Sequence, residues 1–368
     1  ADALTAELEK EYGTPVSFDG LKVYDGTFAI RGNQMWITER TDRIADVLKA
    51  ASKSSVATQE AVAKNLCAHD ADIAVATNYT SSLRNVALLV PGFQLPDELN
   101  NRFAVYKMRF EGNSARFEGC VIDAEGNSLV AADHMKPVGS TVCGFMPAAP
   151  IAAMAMGQFD DTVMDVMKSA MPGYLRAQMT EVLDAIDGSI GFGVAAPAEF
   201  ANLLQPELWT FTLAVQCKKD KAEQLLGLLP MLAQNANAIV TQHPDQLQMC
   251  MKGGFRQRHD LNAYVGYFDG TLVASTQKIS AGSNHDLSRQ FGNYYFASMA
   301  DVPASGDIVK GLGLPFGIKT EMHTDNDKSV GTATLDGSDR PFLAAIISAI
   351  TDQAMHRRVG ENIGRLAE

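Results

Sequence analysis

The stretch FGIKTEMHTDNDKSVGTATLDGS (316–338) reads as two strands around a polar turn, a β-hairpin. An earlier stretch, FAVYKMRFEGNSARFEGCVIDAEGNS (103–128), has the same form, and Phe103, Asn113 and Asp123 fall in register with Phe316, Asn326 and Asp336. The agreement continues upstream. A strand (YYFASMA, from Tyr294) and a helix (IVKGLGLP) precede the second hairpin; a strand from Ile73 and a helix ending in Leu-Val-Pro at Pro91 precede the first. Further out, LKVYDGTFAIRGNQMWITE (21–39) matches LNAYVGYFDGTLVAST (261–276), with the Gly32-Asn33 turn over Asp269-Gly270. The order hairpin, connection, strand, helix, hairpin thus occurs at 24–128 and again at 264–338, and a repeat of this length sets domain boundaries.

The second copy has a block in front of it that the first lacks. It holds a strand at Ile151–Gly157 (IAAMAMG), a helix with an acidic start (DDTVMDVMKSAMPG) and a helix running into a turn (MTEVLDAIDG). Strands SIGFGVA and ELWTFTLAVQCKK, the helix DKAEQLLGLLPMLAQNA and LQMCMKGG complete it. Helices are closed by Pro91, Pro172, Pro230 and Pro315, since the residue before proline avoids the α region. The uncharged run 137–159 contains too much Pro and Gly for a membrane helix and reads as a loop, strand-like at STVCGF, leading into a buried strand. Residues 340–366 are helical, with Phe342, Leu343, Ile346, Ile347 and Ile350 on one face. The expected fold class is α+β: two related lobes of antiparallel or mixed sheet covered by helices, built from the repeated hairpin–strand–helix–hairpin unit. Residues 1–145 form the N-terminal lobe, the rear part of a repeat domain and so incomplete; residues 146–368 form a complete domain with a C-terminal helix.

Composition narrows the function. The chain has 368 residues, 46% hydrophobic and 20% charged, enough to bury real cores. A net charge of −12 with no basic run argues against nucleic acid, whose phosphates require clustered Lys and Arg. The five cysteines show no CxxC and no ligand-like spacing with His, and four lie in strand-like runs where Cys behaves as a small buried hydrophobe.

Chemistry-bearing strings are weak. His69-Asp70, Asp133-His134, His259-Asp260 and His285-Asp286 are adjacent pairs, and neighbours on a strand point apart. HTDNDKSVGTATLD (323–336) spaces Asp325, Asp327, Ser329 and Asp336 like a calcium loop, but Val330 stands where the turn glycine is required, so a solvated hairpin turn is the better reading. GLGLPFG (311–317) follows a helix, the wrong context for a phosphate loop. Ser275-Thr276-Gln277-Lys278 matches the S-x-x-K string of acyl-serine enzymes but sits at a strand end. Met154, Met156, Met164, Met167, Met171 and Met179 form a stripe that serves either a promiscuous groove or, more simply, core packing. No catalytic residue, metal ligand or cofactor site is assigned. His and Asp residues converging from distant strands, among them His259, His285, His323 and Asp325, are the hydrolase alternative.

The strings AHDADIAVATNY, MPAAPIAAMAMG, LWTFTLAVQCKKDKAEQLLGLLP, YVGYFDGTLVASTQ and NYYFASMAD resemble the Bacteroidales lipoprotein family labelled domain of unknown function 4836, over roughly residues 20–350. The resemblance implies a signal peptide with a lipid-modified Cys, a place in the periplasm or at the outer membrane, and no catalytic residues to carry over. The expected protein is therefore a non-enzymatic extracytoplasmic binding or scaffold module. Its partner is a protein or small ligand; the membrane is reached only through a lipid anchor that this chain lacks. A third alternative is an interaction module, including a homodimer, that pairs through the sheet edge an incomplete first lobe leaves open.

Overall fold

The computed structural model describes residues 9–10, 12–18, 21–24, 28–31, 34–37, 60–66, 71–80, 100–129, 133–170, 173–197, 199–235, 238–252, 260–280 and 284–367. The chain forms two compact units, Ala1–Cys67 and Ala68–Glu368. The first contains an antiparallel four-stranded sheet of β1 (Val16–Phe18), β2 (Leu21–Tyr24), β3 (Phe28–Arg31) and β4 (Gln34–Ile37), in that order, and helix α1 (Glu60–Leu66). Val23 and Tyr24 are buried, and the Tyr24 hydroxyl bonds Glu9 Oε1 at 3.3 Å.

The second unit is organised by one antiparallel sheet. Its strands, in chain order, are β5 (Ile73–Asn78), β6 (Phe103–Glu111), β7 (Ser114–Ile122), β8 (Ala152–Met156), β9 (Ile186–Ala195), β10 (Thr210–Cys217), β11 (Ile239–Gln242), β12 (Gln246–Met251), β13 (Leu261–Phe268), β14 (Thr271–Ser275), β15 (Phe296–Val302), β16 (Gly317–Thr324) and β17 (Ser329–Asp336). Across the sheet they run β11-β12-β13-β14-β10-β9-β8-β15-β16-β17-β7-β6-β5. Among the described residues the α-helices are α2 (Ser140–Gly144), α3 (Asp161–Ala170), α4 (Gly173–Ala185), α5 (Lys219–Asn235), α6 (His285–Phe291), α7 (Asp307–Leu312), α8 (Phe342–Thr351) and α9 (Gln353–Ala367). The expected α+β class with a helix-covered antiparallel sheet is what the molecule has.

The division within the chain differs from the expected one at 145/146. The division into compact units falls between residues 67 and 68, and β5–β7 belong to the same sheet as the strands after residue 146. The physical reason is the pairing of β7 with β17, from Ser114↔Thr334 to Gly119↔Ser329. The two hairpins aligned in the sequence are thus neighbours. Asn113 Nδ2 donates to Leu335 O at 2.8 Å, Leu335 N donates to Asn113 O, and Ser114 Oγ meets Thr334 Oγ1 at 3.0 Å. The aligned aspartates differ in what they hold: Asp123 Oδ1 accepts from the Glu125 and Asn127 N–H groups of its own turn, whereas Asp336 Oδ2 accepts from Ala304 N before α7. From β15 to β5 the order reads strand, hairpin, hairpin, strand from either end.

Turn chemistry follows the letters. Asp269 and Gly270 have φ of 46° and 82°, both positive as a type I′ turn requires, and they join β13 to β14. Other expectations are corrected. STVCGF is not a strand: α2 covers Ser140–Gly144, because Val142 and Cys143 pack down onto the sheet rather than into it. Pro230 lies inside α5, which continues to Asn235, instead of closing it. The C-terminal helix breaks at Asp352, whose ψ of 91° ends α8 before α9 begins; its carboxylate accepts from Met355 N in α9. The strand β11 is absent from the sequence reading. The helix expected before Pro91, the connection 41–59, the loop 92–99, Cys67, His69 and His259 lie outside the described residues.

The main core sits between α2 and α6 and the strands β8, β9, β10, β14 and β15. Val138, Val142, Phe145, Met146, Leu287 and Phe291 from the helical layer meet Ala153, Ala155, Ala214, Val273 and Ala297 from the sheet. The strand residues on this side are small. Gly191 and Gly193 complete the floor: a Cβ at Gly193 would stand 2.7 Å from Met146 Sδ and 2.8 Å from Pro147 Cδ. Buried polar side chains fasten the layer. Asn284 caps α6 through Leu287 N and donates to Pro147 O at 2.7 Å. Gln246 Oε1 accepts from Ile279 N, and Ser189 Oγ accepts from Gly139 N. Burial pushes the Cys143 thiol up to about 12.

Two measurements check this packing. In urea titration, Gly193→Val, which drives a branched side chain into Met146 and Pro147, should cost about 1–3 kcal/mol, whereas Leu213→Thr on the opposite side of the sheet should cost under about 1 kcal/mol. Equal losses would mean that the helical layer does not rest on the glycines. Second, at pH 8 only about one Cys143 in ten thousand is thiolate, so Ellman's reagent should reach that residue only on unfolding. Prompt labelling of Cys143 in the native chain, located by peptide mapping, would contradict its placement.

Candidate functional site

The three central strands carry their residues the opposite way round from an ordinary one-sided sheet. In β8 (AAMAM), Ala153 and Ala155 face the core and Met154 faces out. In β9 (IDGSIGFGVA), Gly191 and Gly193 face the core and Phe192 faces out; in β10 (TFTLAVQC), Thr212 and Ala214 face in and Phe211 and Leu213 out. Because side chains alternate along a strand, filling the core side with small residues leaves the large ones for the other side. Met154, Phe192 and Leu213 are directly opposite one another in register, and they stay 44%, 37% and 44% exposed.

The row extends along the sheet. From Met154 it passes through Ser298, Met322, Gly331 and Phe117 to Met108 and Ile73, each opposite the next. The Phe117 ring lies across Gly331, where a Cβ would meet it, and Tyr106 lies across Gly119 in the same way. In the other direction the row continues through Ala274 to Val265 and Leu247, which are buried where α5 approaches β11 and β13. Phe110 shares this face and stacks on Phe342 of α8, which has no charged residue and exposes Leu343, Ile347 and Ile350. A contiguous run of exposed apolar side chains of this kind is a candidate interaction surface. Covering what remains exposed of Met154, Phe192 and Leu213 is worth about 1 kcal/mol each. Three of them fall short of the roughly 8 kcal/mol of a micromolar complex, so an occupant has to reach neighbours such as Phe211 and Tyr106 as well.

The residues singled out in the sequence do not assemble into one centre. His134 Nδ1 pairs with Asp160 Oδ2 at 3.3 Å, not with its sequence neighbour Asp133. His323 stacks on Tyr294 with ring centroids 4.0 Å apart; Asp325 and Asp327 stand at the β16–β17 turn, where Asp325 Oδ1 accepts from Asn326 N. His285 opens α6. Ser275 and Lys278 both line a recess of about 190 Å³, but the Ser275 hydroxyl is buried, shared with Thr212 Oγ1 at 3.1 Å and accepting from Gln277 N. Within GLGLPFG, Gly313 is the left-handed cap of α7, with its N–H bonded to Lys310 O. Among the described residues no group of three or more His, Cys, Asp or Glu is placed to hold a metal ion.

The methionine stripe separates. Met154 and Met156 belong to the open face, and Met156 with Met164 lines a cleft of about 150 Å³ between α3, α4 and the sheet. There Lys168 Nζ lies 2.7 Å from Asp184 Oδ1 and 3.3 Å from Asp165 Oδ1. The hydrogen bond to Asp184 holds the Lys168 ammonium above its ordinary value and lowers Asp184 in turn, so this lysine is a tie between helices and no nucleophile at neutral pH. The open face was within reach of the sequence, through alternation in AAMAM, SIGFGV and TFTLAV; which side the core takes was not.

No protein-family profile matches the chain, and no curated protein matches it. A solved structure, crystal form IV of TP0453, is similar over 60% of this chain and 98% of its own length, at 9% sequence identity and a TM-score of 0.26. At that score the likeness decides neither fold nor function.

Proposed function

We propose that this chain is a non-enzymatic binding or scaffold protein of the cell envelope, whose open sheet face receives an apolar or amphipathic partner. What supports the binding reading is the inverted residue pattern of the central strands, with Met154, Phe192 and Leu213 turned away from the core in one register row. What supports the envelope location is the family resemblance of the sequence; the lipid anchor it implies belongs to the same proposal. The related β5–β7 and β15–β17 triplets, meeting at β7 and β17, are taken as the two copies of the repeat.

A second reading has its own observation. Among the described residues β5 ends the sheet, and its Ile73 and Val75 are exposed, so an added strand would extend an uncharged edge. A homodimer through that edge would pair the same strand with its copy.

The open-face reading is tested with the full chain and 1-anilino-8-naphthalenesulfonate. The double variant Phe192→Ser, Leu213→Ser should lower dye fluorescence at least threefold while its urea midpoint stays close to the original; undiminished dye binding overturns the reading. Cell fractionation followed by immunoblotting tests location separately. Recovery with cytosolic markers removes the envelope proposal and leaves the surface proposal standing. A dimer that dissociates on Val75→Pro would favour the edge reading instead.

A further inference from the structure

The recess of about 190 Å³ that holds Ser275 and Lys278 lies on the helix-covered side of β10 and β14. Alternation puts Thr210 and Thr212 on this side, away from Phe211 and Leu213, and the register sets Ser275 directly opposite Thr212. The end of β14 is fixed by Thr276, whose Oγ1 donates to Trp209 O at 2.8 Å and accepts from Phe211 N at 3.0 Å. The loop that follows is held by the Gln246 amide, which accepts from Ile279 N and donates to Ile279 O. Another part of the wall, Pro147, is tied through its carbonyl to Asn284 Nδ2. The recess is therefore shaped by bonds within the fold before any ligand arrives.

Its hydroxyls have hydrogen-bonding capacity to spare. Thr210 is only 9% exposed, and among the described residues its hydroxyl makes no hydrogen bond. Thr212 Oγ1 and Ser275 Oγ share one bond of 3.1 Å, and Ser275 Oγ also accepts from Gln277 N at 3.2 Å. Two hydroxyls bring two protons to that shared bond and it uses one, so the other is left to donate. Both residues are buried, where a donor without an acceptor is costly. Exposed Lys278 supplies the one charge of the described lining, with no carboxylate beside it there. Met146 and Val273 give the recess an apolar wall.

We propose that this recess binds a small monocarboxylic acid. The carboxylate takes the hydroxyl protons of Thr210 and of the Thr212–Ser275 pair together with the Lys278 ammonium, and a short alkyl tail lies against Met146 and Val273. Hydroxyl and ammonium donors to a carboxylate form the strong, charge-assisted class of hydrogen bond. One cation matches one negative charge, which selects a carboxylate over a phosphate dianion. The volume is below the roughly 300–1,000 Å³ of sites for drug-sized ligands, so the acid has only a few carbons. The Ser-x-x-Lys string at 275–278 thus supplies binding groups rather than a nucleophile, since Ser275 Oγ is already engaged by Thr212 and Gln277. The site goes beyond the open apolar face, because it lies on the other side of β10 and shares none of the residues tested there.

The test is saturation-transfer NMR of the full chain at pH 7.5 and constant ionic strength, with sodium butyrate as the probe. Butyrate should bind saturably, and butyramide, its neutral counterpart, at least about tenfold more weakly. Thr210→Val, which exchanges the free hydroxyl for a methyl, should weaken butyrate about fivefold, and Lys278→Gln about tenfold. Lys310→Gln on α7 should leave binding unchanged, and inorganic phosphate should not displace butyrate. Because the Thr210 hydroxyl has no partner in the fold, Thr210→Val should melt at or above the native chain. Absence of saturable binding overturns the proposal, as does butyramide binding as tightly as butyrate. A Thr210→Val chain that melts several degrees lower would make that hydroxyl structural and overturn it too. Butyrate binding that is lost in Phe192→Ser, Leu213→Ser and kept in Thr210→Val would belong to the open face, and the recess would then be no carboxylate site.

Discussion

The close seating of α2 and α6 on β8, β9 and β10 is the constraint from which most of the second unit follows. A helical layer can approach a sheet that closely only where the strands offer Ala, Gly and Thr, and Gly191 and Gly193 beneath Met146 leave no room for a Cβ: at Gly191 it would run into Met146 Cε. Strand alternation then leaves Met154, Phe192, Phe211 and Leu213 for the far side. A sheet with small residues inside and large apolar ones outside is the reverse of the usual one-sided sheet, where the outer face is polar. On the other side the layer is held by buried polar clamps that need no large side chains: Gln246 and Ser189 tie loops to the sheet, and Asn284 ties the start of α6 to Pro147.

Much of this fold was legible in the sequence, and the reasons differ by element. The hairpins β6–β7, β13–β14 and β16–β17 announced themselves through alternation and through Gly112 and Asp269-Gly270 at turns that require positive φ. The short helix α2 was not legible, since five residues carry too little periodicity to outweigh the β-branched look of STVCGF. Pro230 reads as a helix end because proline ends a helix on average, yet α5 runs through it to Asn235, with Ala222 and Ala233 buried on either side. The candidate surface was half visible: alternation in SIGFGV separates Phe192 from the glycines, but only tertiary structure says which set the helices choose. His134 found Asp160 rather than Asp133 for a related reason, since chain neighbours diverge and partners come from elsewhere.

The two sides of β6–β7 show how one hairpin can serve two chemistries. Even-numbered positions Tyr106, Met108 and Phe110 continue the apolar face, with Tyr106 and Phe117 lying over glycines on the adjoining strands. Odd-numbered positions Lys107 and Arg109 take the opposite side, with Glu118 and Arg116 across from them. Because the side-chain period is two, a slip of one residue in the β7·β17 pairing would exchange these faces, so the Asn113 and Ser114 bonds to Leu335 and Thr334 fix the chemistry of each side as well as the register.

That same seam has a consequence for how the chain is made. Ser114 and Thr334 are 220 residues apart. At ordinary synthesis rates, β7 emerges from the ribosome roughly 10–40 s before β17 exists to pair with it. Through that interval the β5–β7 meander has its seam edge unsatisfied and its apolar side uncovered. A nascent chain therefore carries an unpaired strand edge until β17 has been made, and the sheet closes only when β7 and β17 meet.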